Sequence, residues 1–137
     1  MNVLLSKGMK MTDMFKDVYD FTVAFGQRVG EKAELPDRNE RMLRIDLLTE
    51  EVEEYLEGES NNDIVEIADA LADIIYIVCG TAVSYGIPLN KVFEEVHRSN
   101  MAKLVDGKVL RREDGKIMKP EGWTPPDINK ILFDNKP

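Results

Sequence analysis

The segment "EIADALADIIYIV", residues 66–78, decides the fold of this chain. It combines the hydrophobicity of a buried helix with three acidic residues, Glu66, Asp69 and Asp73. At about 100° per residue these acids fall within an arc of about 60°, while aliphatic side chains cover much of the remaining circumference. A buried carboxylate requires a cation, a metal ion or a proton. The segment therefore predicts a core helix with a carboxylate stripe that must be neutralised.

Helical spacing continues on both sides of this segment. The predicted helices run from Thr12 to Gly26, from Asp37 to about Glu57, from Asn62 or Asp63 to Tyr85, and from Asn90 to the turn at Asp106 and Gly107. Two DGK triplets predict turns, the second within either a small hairpin about Asp114 and Gly115 or an ordered arm. The sequence predicts an all-α bundle of four to five helices in one domain over residues 1–137, with a lead segment over 1–11 and a C-terminal basic arm over 105–137. Because the third helix is apolar on most sides, we expect assembly through helices as a homodimer or homotetramer.

Composition excludes several classes of function. A formal net charge of −8 argues against wholesale binding of nucleic acid, although basic residues gather after residue 97. The chain has no apolar run of about 20 residues, and the apolar stretch near its start is too short for the apolar region of a signal peptide, so we expect no membrane partner and a cytoplasmic location. The single cysteine, Cys79, lies in the apolar helix and is expected to be a core residue.

A second acidic run, "LLTEEVEEYLEG", occupies residues 47–58. Glu50 and Glu54 lie one helical turn apart on one face, and Glu51 lies about 100° round from Glu50. Such a run is commonly a solvated face, but Leu43 and Leu47 share the arc of Glu50 and Glu54. If the second and third helices pack antiparallel, the two acid stripes face each other.

Carboxylates at that density are best neutralised by divalent cations. An all-oxygen ligand set suits Mg²⁺ or Mn²⁺ rather than zinc, and Mg²⁺ commonly recruits substrate phosphates. A di-iron carboxylate bundle is the alternative, but it requires Glu-x-x-His pairs, and His97 is the only histidine. The acid stripes therefore point to phosphate chemistry.

The order of these acids is similar to that of a known family. Glu50-Glu51-x-x-Glu54 followed by Glu66-x-x-Asp69 resembles the acidic motif of the all-α nucleoside triphosphate pyrophosphatases, the MazG-like superfamily. The similarity continues through residues 73–108 and 114–128, which look like the phosphoribosyl-ATP pyrophosphohydrolase branch. In that family an apolar run like the one that begins at Ile74 directly follows the final Asp of the motif. By that register Asp73 is the final ligand, and Ala70 occupies a position where Glu is expected.

The resemblance implies Mg²⁺-dependent hydrolysis of the α–β phosphoanhydride of a nucleotide, with release of a monophosphate and pyrophosphate. The substrate is expected to be a (deoxy)nucleoside triphosphate such as dUTP, or alternatively phosphoribosyl-ATP. A catalytically silent nucleotide-binding or regulatory protein is the alternative of another class, which Ala70 keeps open. The implied metal ligands are Glu50 and Glu54 with acids of the third helix, which are Glu66 and Asp69 in one register of the motif and Asp69 and Asp73 in the other. Glu51 is implied to position or deprotonate the attacking water. The expected phosphate-binding residues are Asn100, Lys103, Arg111, Lys116 and Lys119, and Phe25 with Gln27 are candidates for reading the base.

Overall fold

The computed structural model describes residues 13–134. Within that range the elements are α1 (Met14–Ala24), α2 (Arg38–Ser60), α3 (Ile64–Tyr85), α4 (Leu89–Met101), β1 (Leu104–Val105), β2 (Lys108–Val109) and α5 (Ile128–Phe133). The predicted all-α architecture is confirmed. None of the helices within residues 13–134 has both the length and the hydrophobicity that a membrane span requires. The described residues form two compact units, 13–87 and 88–134. The single domain stays a prediction, and the lead segment 1–11 lies outside the described residues.

Helices α2 and α3 form an antiparallel pair in the first unit. Gly58, near the end of α2, packs so closely on the start of α3 that a Cβ atom there would lie 3.0 Å from Ile67 Cγ1. Glu40, near the start of α2, accepts a hydrogen bond from the Ser84 hydroxyl near the end of α3. Residues of the two helices therefore pair in opposite order, which is the condition under which the sequence analysis brought the two acid stripes together, and the middle of α2 lies beside the middle of α3.

The ends of these helices follow from local sequence signals. Asp63 caps α3 by accepting hydrogen bonds from the backbone N–H groups of Val65 and Glu66, and Gly86 ends it at φ +69°. The prediction that α2 stops at Gly58 is wrong, because this glycine is buried against α3 and the helix continues to Ser60. A glycine in the last turns of a helix can thus mark a close helix contact instead of a stop.

Helix α1 packs on α3 and completes the first unit. Its N-cap is Asp13, whose carboxylate accepts a hydrogen bond from Lys16 N–H, whereas the predicted cap Thr12 lies outside the described residues. The buried core side chains of this unit are Val18, Ala70, Cys79, Ala82 and Val83. Cys79 is therefore a core residue, as expected.

The second unit contains α4, the two short strands and α5. Pro88 occupies the N-cap position of α4, so the predicted cap Asn90 lies inside the helix. Strands β1 and β2 pair across the first DGK turn, and Arg111 bridges Ile117 across the second, so both triplets are turns, as predicted. The regular strand pair forms about the first of these turns, and about the second, where the sequence predicted either a small hairpin or an ordered arm, an antiparallel bridge joins Arg111 and Ile117.

Candidate active site

The two acid stripes meet at the middle of the α2 and α3 pair. Glu51, Glu54 and Asp73 each present one carboxylate oxygen, and these three oxygens lie within 4.8 Å of one another. The antiparallel pairing explains this proximity, because it places Glu51 of α2 opposite Asp73 of α3. Glu54 reaches the same point because residues three apart share one helix face. We refer to Glu51, Glu54 and Asp73 as the carboxylate cluster.

The carboxylates of this cluster have no cationic partner within residues 13–134, and one of their buried oxygens has no hydrogen-bond donor there. Glu51 Oε2 is buried, and it has no hydrogen-bond partner among the described residues. Burial raises the pKa of Glu51 to about 7, and the neighbouring carboxyls of Glu54, Asp73 and Glu50 add to the effect. Within residues 13–134, no ion pair involves the members of the cluster. A divalent cation is the partner that such converging oxygens fit, because hard cations prefer carboxylate ligands.

The other predicted metal ligands lie outside the carboxylate cluster. Glu50 is exposed, but it is close enough to contribute to the raised pKa of Glu51. Asp69 is also exposed, while Glu66 lies beside Gly58 at the far end of α3, about 10 Å along the axis from Asp73. The geometry therefore differs from the sequence interpretation in the placement of Glu50 and Glu51. The sequence interpretation took Glu50 as a ligand and placed Glu51 to the side, whereas in the structure Glu51 belongs to the carboxylate cluster and Glu50 does not.

Ala70 lies where the family pattern expects a glutamate. Its side chain is 1% exposed, and the antiparallel pairing places it opposite Glu54. A methyl group at this buried position contributes packing and no ligand atom. Within the described residues, Asp73 is therefore the one residue of α3 that contributes a carboxylate to the carboxylate cluster.

An apolar cavity of about 310 Å³ lies between α1 and α3. Its lining residues are Met14, Asp17, Val18, Ala72, Ile75 and Tyr76. Ala72 directly precedes Asp73, and Tyr76 follows it by about one turn. Asp17 is the one charged residue among these, and it is exposed.

The predicted base-reading residues lie at and just beyond the end of α1. Phe25 is 68% exposed, and its ring stacks on Phe21 with a centroid distance of 4.2 Å. Phe21 in turn meets the ring of Tyr76 edge-on at 5.4 Å. Gln27 is exposed. The aromatic contacts thus connect Phe25 to a wall of the cavity.

The predicted phosphate-binding residues belong to the second unit. Lys103 donates to Asn100 Oδ1, and its ammonium lies 5.6 Å from the centre of the Trp123 ring. Lys119 lies 4.8 Å from the same ring, and Trp123 is fixed by donating its indole N–H to Ser99 O. Trp123 therefore anchors the tail to α4.

The other two predicted phosphate-binding residues lie at the second DGK turn. Arg111 donates to the backbone oxygen of Gly115, and Lys116 is exposed.

Two comparisons with known proteins bear on this site. The model of the family described as phosphoribosyl-ATP pyrophosphohydrolase matches residues 18–100, which is more than half of the chain and includes all of α2 and α3. An uncharacterized protein of Acanthamoeba polyphaga mimivirus is 44% identical over 48 residues. That match covers 35% of this chain and 19% of the viral protein.

Proposed function

The chain belongs to the phosphoribosyl-ATP pyrophosphohydrolase family, and from this premise we propose that it is a nucleotide pyrophosphohydrolase. It hydrolyses the α–β phosphoanhydride of a nucleoside triphosphate and releases a nucleoside monophosphate and pyrophosphate. The observation that carries this proposal is the carboxylate cluster, whose buried Glu51 oxygen has no partner within the described residues.

Magnesium is the proposed cofactor, and Mn²⁺ is expected to replace it. Glu54 and Asp73 would hold the ion through carboxylate oxygens, with Glu50, Glu66 and Asp69 as further proposed ligands, directly or through water. When bound, such an ion neutralises the polyphosphate and lowers the pKa of a coordinated water. One carboxylate oxygen each of Glu51, Glu54 and Asp73 lies within 4.8 Å of the others before any ion is bound.

Glu51 is the proposed general base. In the metal-free chain, burial and the neighbouring acids raise the pKa of its carboxyl to about 7, so near neutral pH it exchanges a proton readily. The buried Oε2 has no competing hydrogen-bond donor among the described residues, and it can therefore orient an attacking water and accept its proton. Glu54 and Asp73 keep Glu51 basic through their negative charges.

The proposed substrates are (deoxy)nucleoside triphosphates such as dUTP. Phosphoribosyl-ATP is a second candidate, which the description of the matching family favours. Asn100, Lys103, Arg111, Lys116 and Lys119 would bind the phosphates through amide and cationic donors. Phe25 would offer its exposed face to a base, with Gln27 as a hydrogen-bonding group.

We also propose that the chain assembles through its helices as a homodimer or homotetramer. The support is the exposure of aliphatic side chains at the start of α3, where Ile64 and Val65 are 74% and 75% exposed. Sedimentation velocity should give a mass above one chain, and Val65→Lys should shift it toward the monomer. A monomeric wild-type protein would refute this assembly.

The decisive experiment measures pyrophosphate release from a panel of nucleotides that includes dUTP and phosphoribosyl-ATP. We expect release with Mg²⁺ and none with chelator. Glu51→Gln should lower the rate by about 10²–10⁴-fold while the protein stays folded. Inactivity across the panel would favour a nucleotide-binding or regulatory protein, whereas release that persists in Glu51→Gln would show that another group is the base.

A further inference from the structure

Exposed aliphatic side chains line one side of the α2 and α3 pair. On α2, Ile45 directly follows Arg44, and Val52 directly follows Glu51. Arg44 and Glu51 both face α3, the first through a hydrogen bond and the second through the carboxylate cluster. One residue turns an α-helix by about 100°, so Ile45 and Val52 point to one side of the pair instead of into it. They are 53% and 39% exposed.

Helix α3 repeats this arrangement. Leu71 directly follows the buried Ala70, and Val78 directly follows Ile77, whose backbone oxygen accepts a hydrogen bond from Arg44. Because the two helices are antiparallel, an equal rotation away from their contact leads to the same side of the pair in both of them. The residues on this side are between 36% and 74% exposed. We refer to them as the apolar face: Ile45, Leu48, Val52, Ile64, Leu71 and Val78.

The apolar face has the spacing of helices that pack side by side. Ile45 and Val52 are seven residues apart on α2, and Ile64, Leu71 and Val78 follow at intervals of seven on α3. A seven-residue repeat keeps a stripe of side chains facing a neighbouring helix over several turns. Two such stripes on adjacent helices therefore fit a further pair of helices.

The charge distribution of α2 indicates which helices these are. Residues 38–44 include three arginines and residues 50–59 include six glutamates, whereas the sequence from 45 to 90 contains no Lys or Arg. The helix macrodipole favours the opposite order, with acids near the N-terminus and cations near the C-terminus. Helix α3 carries acids and no basic residue, so it cannot compensate the acidic end of α2. A second α2 running antiparallel supplies cations to that end and acids to the other.

Arg41 and Glu59 indicate the register of this pairing. Residues 41, 45, 48, 52, 55 and 59 alternate in steps of four and three, which is the spacing of a coiled-coil seam. A two-fold axis near residue 50 places Arg41 against Glu59 of the partner subunit and Leu48 against Val52 of the partner subunit. Both Arg41 and Glu59 are exposed, and within residues 13–134 neither forms an ion pair. Glu59 accepts a hydrogen bond from the Tyr55 hydroxyl at Oε2, and its Oε1 can accept another.

We propose that the apolar face binds a second copy of this chain. The two α2 helices lie antiparallel across a two-fold axis, and the two α3 helices complete a four-helix bundle. Arg41 of each copy pairs with Glu59 of the partner subunit. The inference rests on the proposed self-association and deepens it by assigning its face and its orientation, and it does not depend on the proposed catalysis.

Charge reversal tests the orientation. Arg41→Glu places like charges together at both ends of the seam, and Glu59→Arg does the same with the opposite sign. In dilute salt each variant should raise the Kd of self-association on the order of tenfold. The double variant restores opposite charges and should return the Kd to within about threefold of wild type. In one chain the two residues are about 27 Å apart along α2, so this recovery requires a contact between copies.

Val52→Lys tests the apolar face close to the two-fold axis. The two introduced charges would meet in the interface, so the Kd should rise by about a hundredfold or more. Val23→Lys is the matched control, because Val23 is 54% exposed on α1 outside the apolar face, and its Kd should stay within about twofold of wild type. Sedimentation velocity over a range of concentrations gives the Kd, and circular dichroism checks the fold. If Val52→Lys unfolds, Leu71→Lys tests the same face from α3.

The outcomes separate the face, its orientation and the proposed activity. A monomeric wild type, or a Kd that the folded lysine variant of the apolar face leaves unchanged, would overturn the face as an interface. Single charge reversals without effect, or a double variant that associates no better than the single ones, would overturn the antiparallel pairing. Sedimentation needs no nucleotide, so a failure to release pyrophosphate would remove the proposed catalysis and would leave these tests decisive for the interface.

Discussion

Two regions of the α2 and α3 interface, the Arg44 end and the carboxylate cluster at the middle, differ in how a buried charged group is compensated. Toward the end of α3, Arg44 is 9% exposed, and its guanidinium donates to Thr81 Oγ1 and to Ile77 O. The missing side chain of Gly80 makes room for it. Toward the middle of the interface, Glu51 has a buried oxygen with no partner in the described part of the chain.

The contrast distinguishes a structural site from a candidate catalytic one. Burial lowers the pKa of Arg44 and raises the pKa of Glu51, so the interface disfavours the charged form of both groups. Two neutral oxygens and the nearby Glu40 carboxylate compensate the arginine, and within residues 13–134 no group compensates the glutamate. The Arg44 end is thus complete in the folded chain, whereas the carboxylate cluster is complete only with a ligand. Substitutions at the first should change stability, and those at the second should change metal binding.

The largest expected change in stability comes from Arg44→Ala. It removes a nearly buried side chain and leaves the Ile77 carbonyl without one donor, so we expect unfolding to become easier by about 2–4 kcal/mol. Chemical denaturation measures this change. Metal affinity per folded molecule should be nearly unchanged, and a large loss of Mn²⁺ affinity would contradict the separation of the two ends.

Gly80→Ala tests the same end from the opposite helix. The new Cβ would lie 2.6 Å from Arg44 Nη2, so the guanidinium must move, at an expected cost of about 1–3 kcal/mol. A double-mutant cycle supplies the control, because in the Arg44→Ala background the alanine has space. A cost that persists in the double variant would show that Arg44 is not the source of the strain.

The sequence was informative where one signal determines one feature. Acids in an apolar helix predicted a meeting of α2 and α3, and the caps Asp37 and Asp63 gave the starts of these helices. The members of the carboxylate cluster could not be derived, because their identity depends on the helix pairing, which is set by contacts such as Gly58 with Ile67. If α2 were rotated about its own axis by one residue, Glu50 would face α3 in place of Glu51. The compensation of Arg44 likewise depends on packing between helices distant in sequence.

The carboxylate cluster predicts that the metal-free protein loses stability as the pH rises. The pKa of Glu51 is raised from 4.5 to about 7 in the folded state. Between these values the folded chain keeps a proton that the unfolded chain releases, so stability is highest below about pH 4.5 and falls until about pH 7. We expect a change on the order of 1–2 kcal/mol, discounted because the site is partly open to water.

Thermal unfolding in chelator across this pH range measures the effect, with Glu51→Gln as the control. The variant carries no charge at this position, so it should lack this part of the pH dependence and should be more stable than wild type at pH 8. A difference between the two proteins that does not depend on pH would contradict the assignment to Glu51. The same measurement with Mg²⁺ should bring wild type closer to the variant, since a bound cation compensates the ionised carboxyl.

The smallest expected effect comes from Asp69→Asn, and its comparison with Asp73→Asn shows which of these two acids of α3 binds the metal ion. Asp69 and Asp73 are one turn apart on α3, yet only Asp73 joins Glu51 and Glu54 within 4.8 Å. Asp69→Asn should therefore change the dissociation constant for Mn²⁺ by about twofold or less, because it removes only a screened charge nearby. Asp73→Asn should weaken binding by about tenfold or more, because it removes a ligand and leaves an amide oxygen of lower charge. Titration of Mn²⁺ followed by electron paramagnetic resonance compares the two variants directly.

The same titration bears on the missing glutamate of the family pattern. Equal losses in the two variants would mean that Asp69 reaches the ion as well and supplies the carboxylate that Ala70 lacks. No carboxylate at position 70 would then be needed to explain metal binding. A loss confined to Asp73→Asn would instead make Ala70→Glu the informative variant, because a carboxylate added opposite Glu54 should then raise the affinity for Mn²⁺.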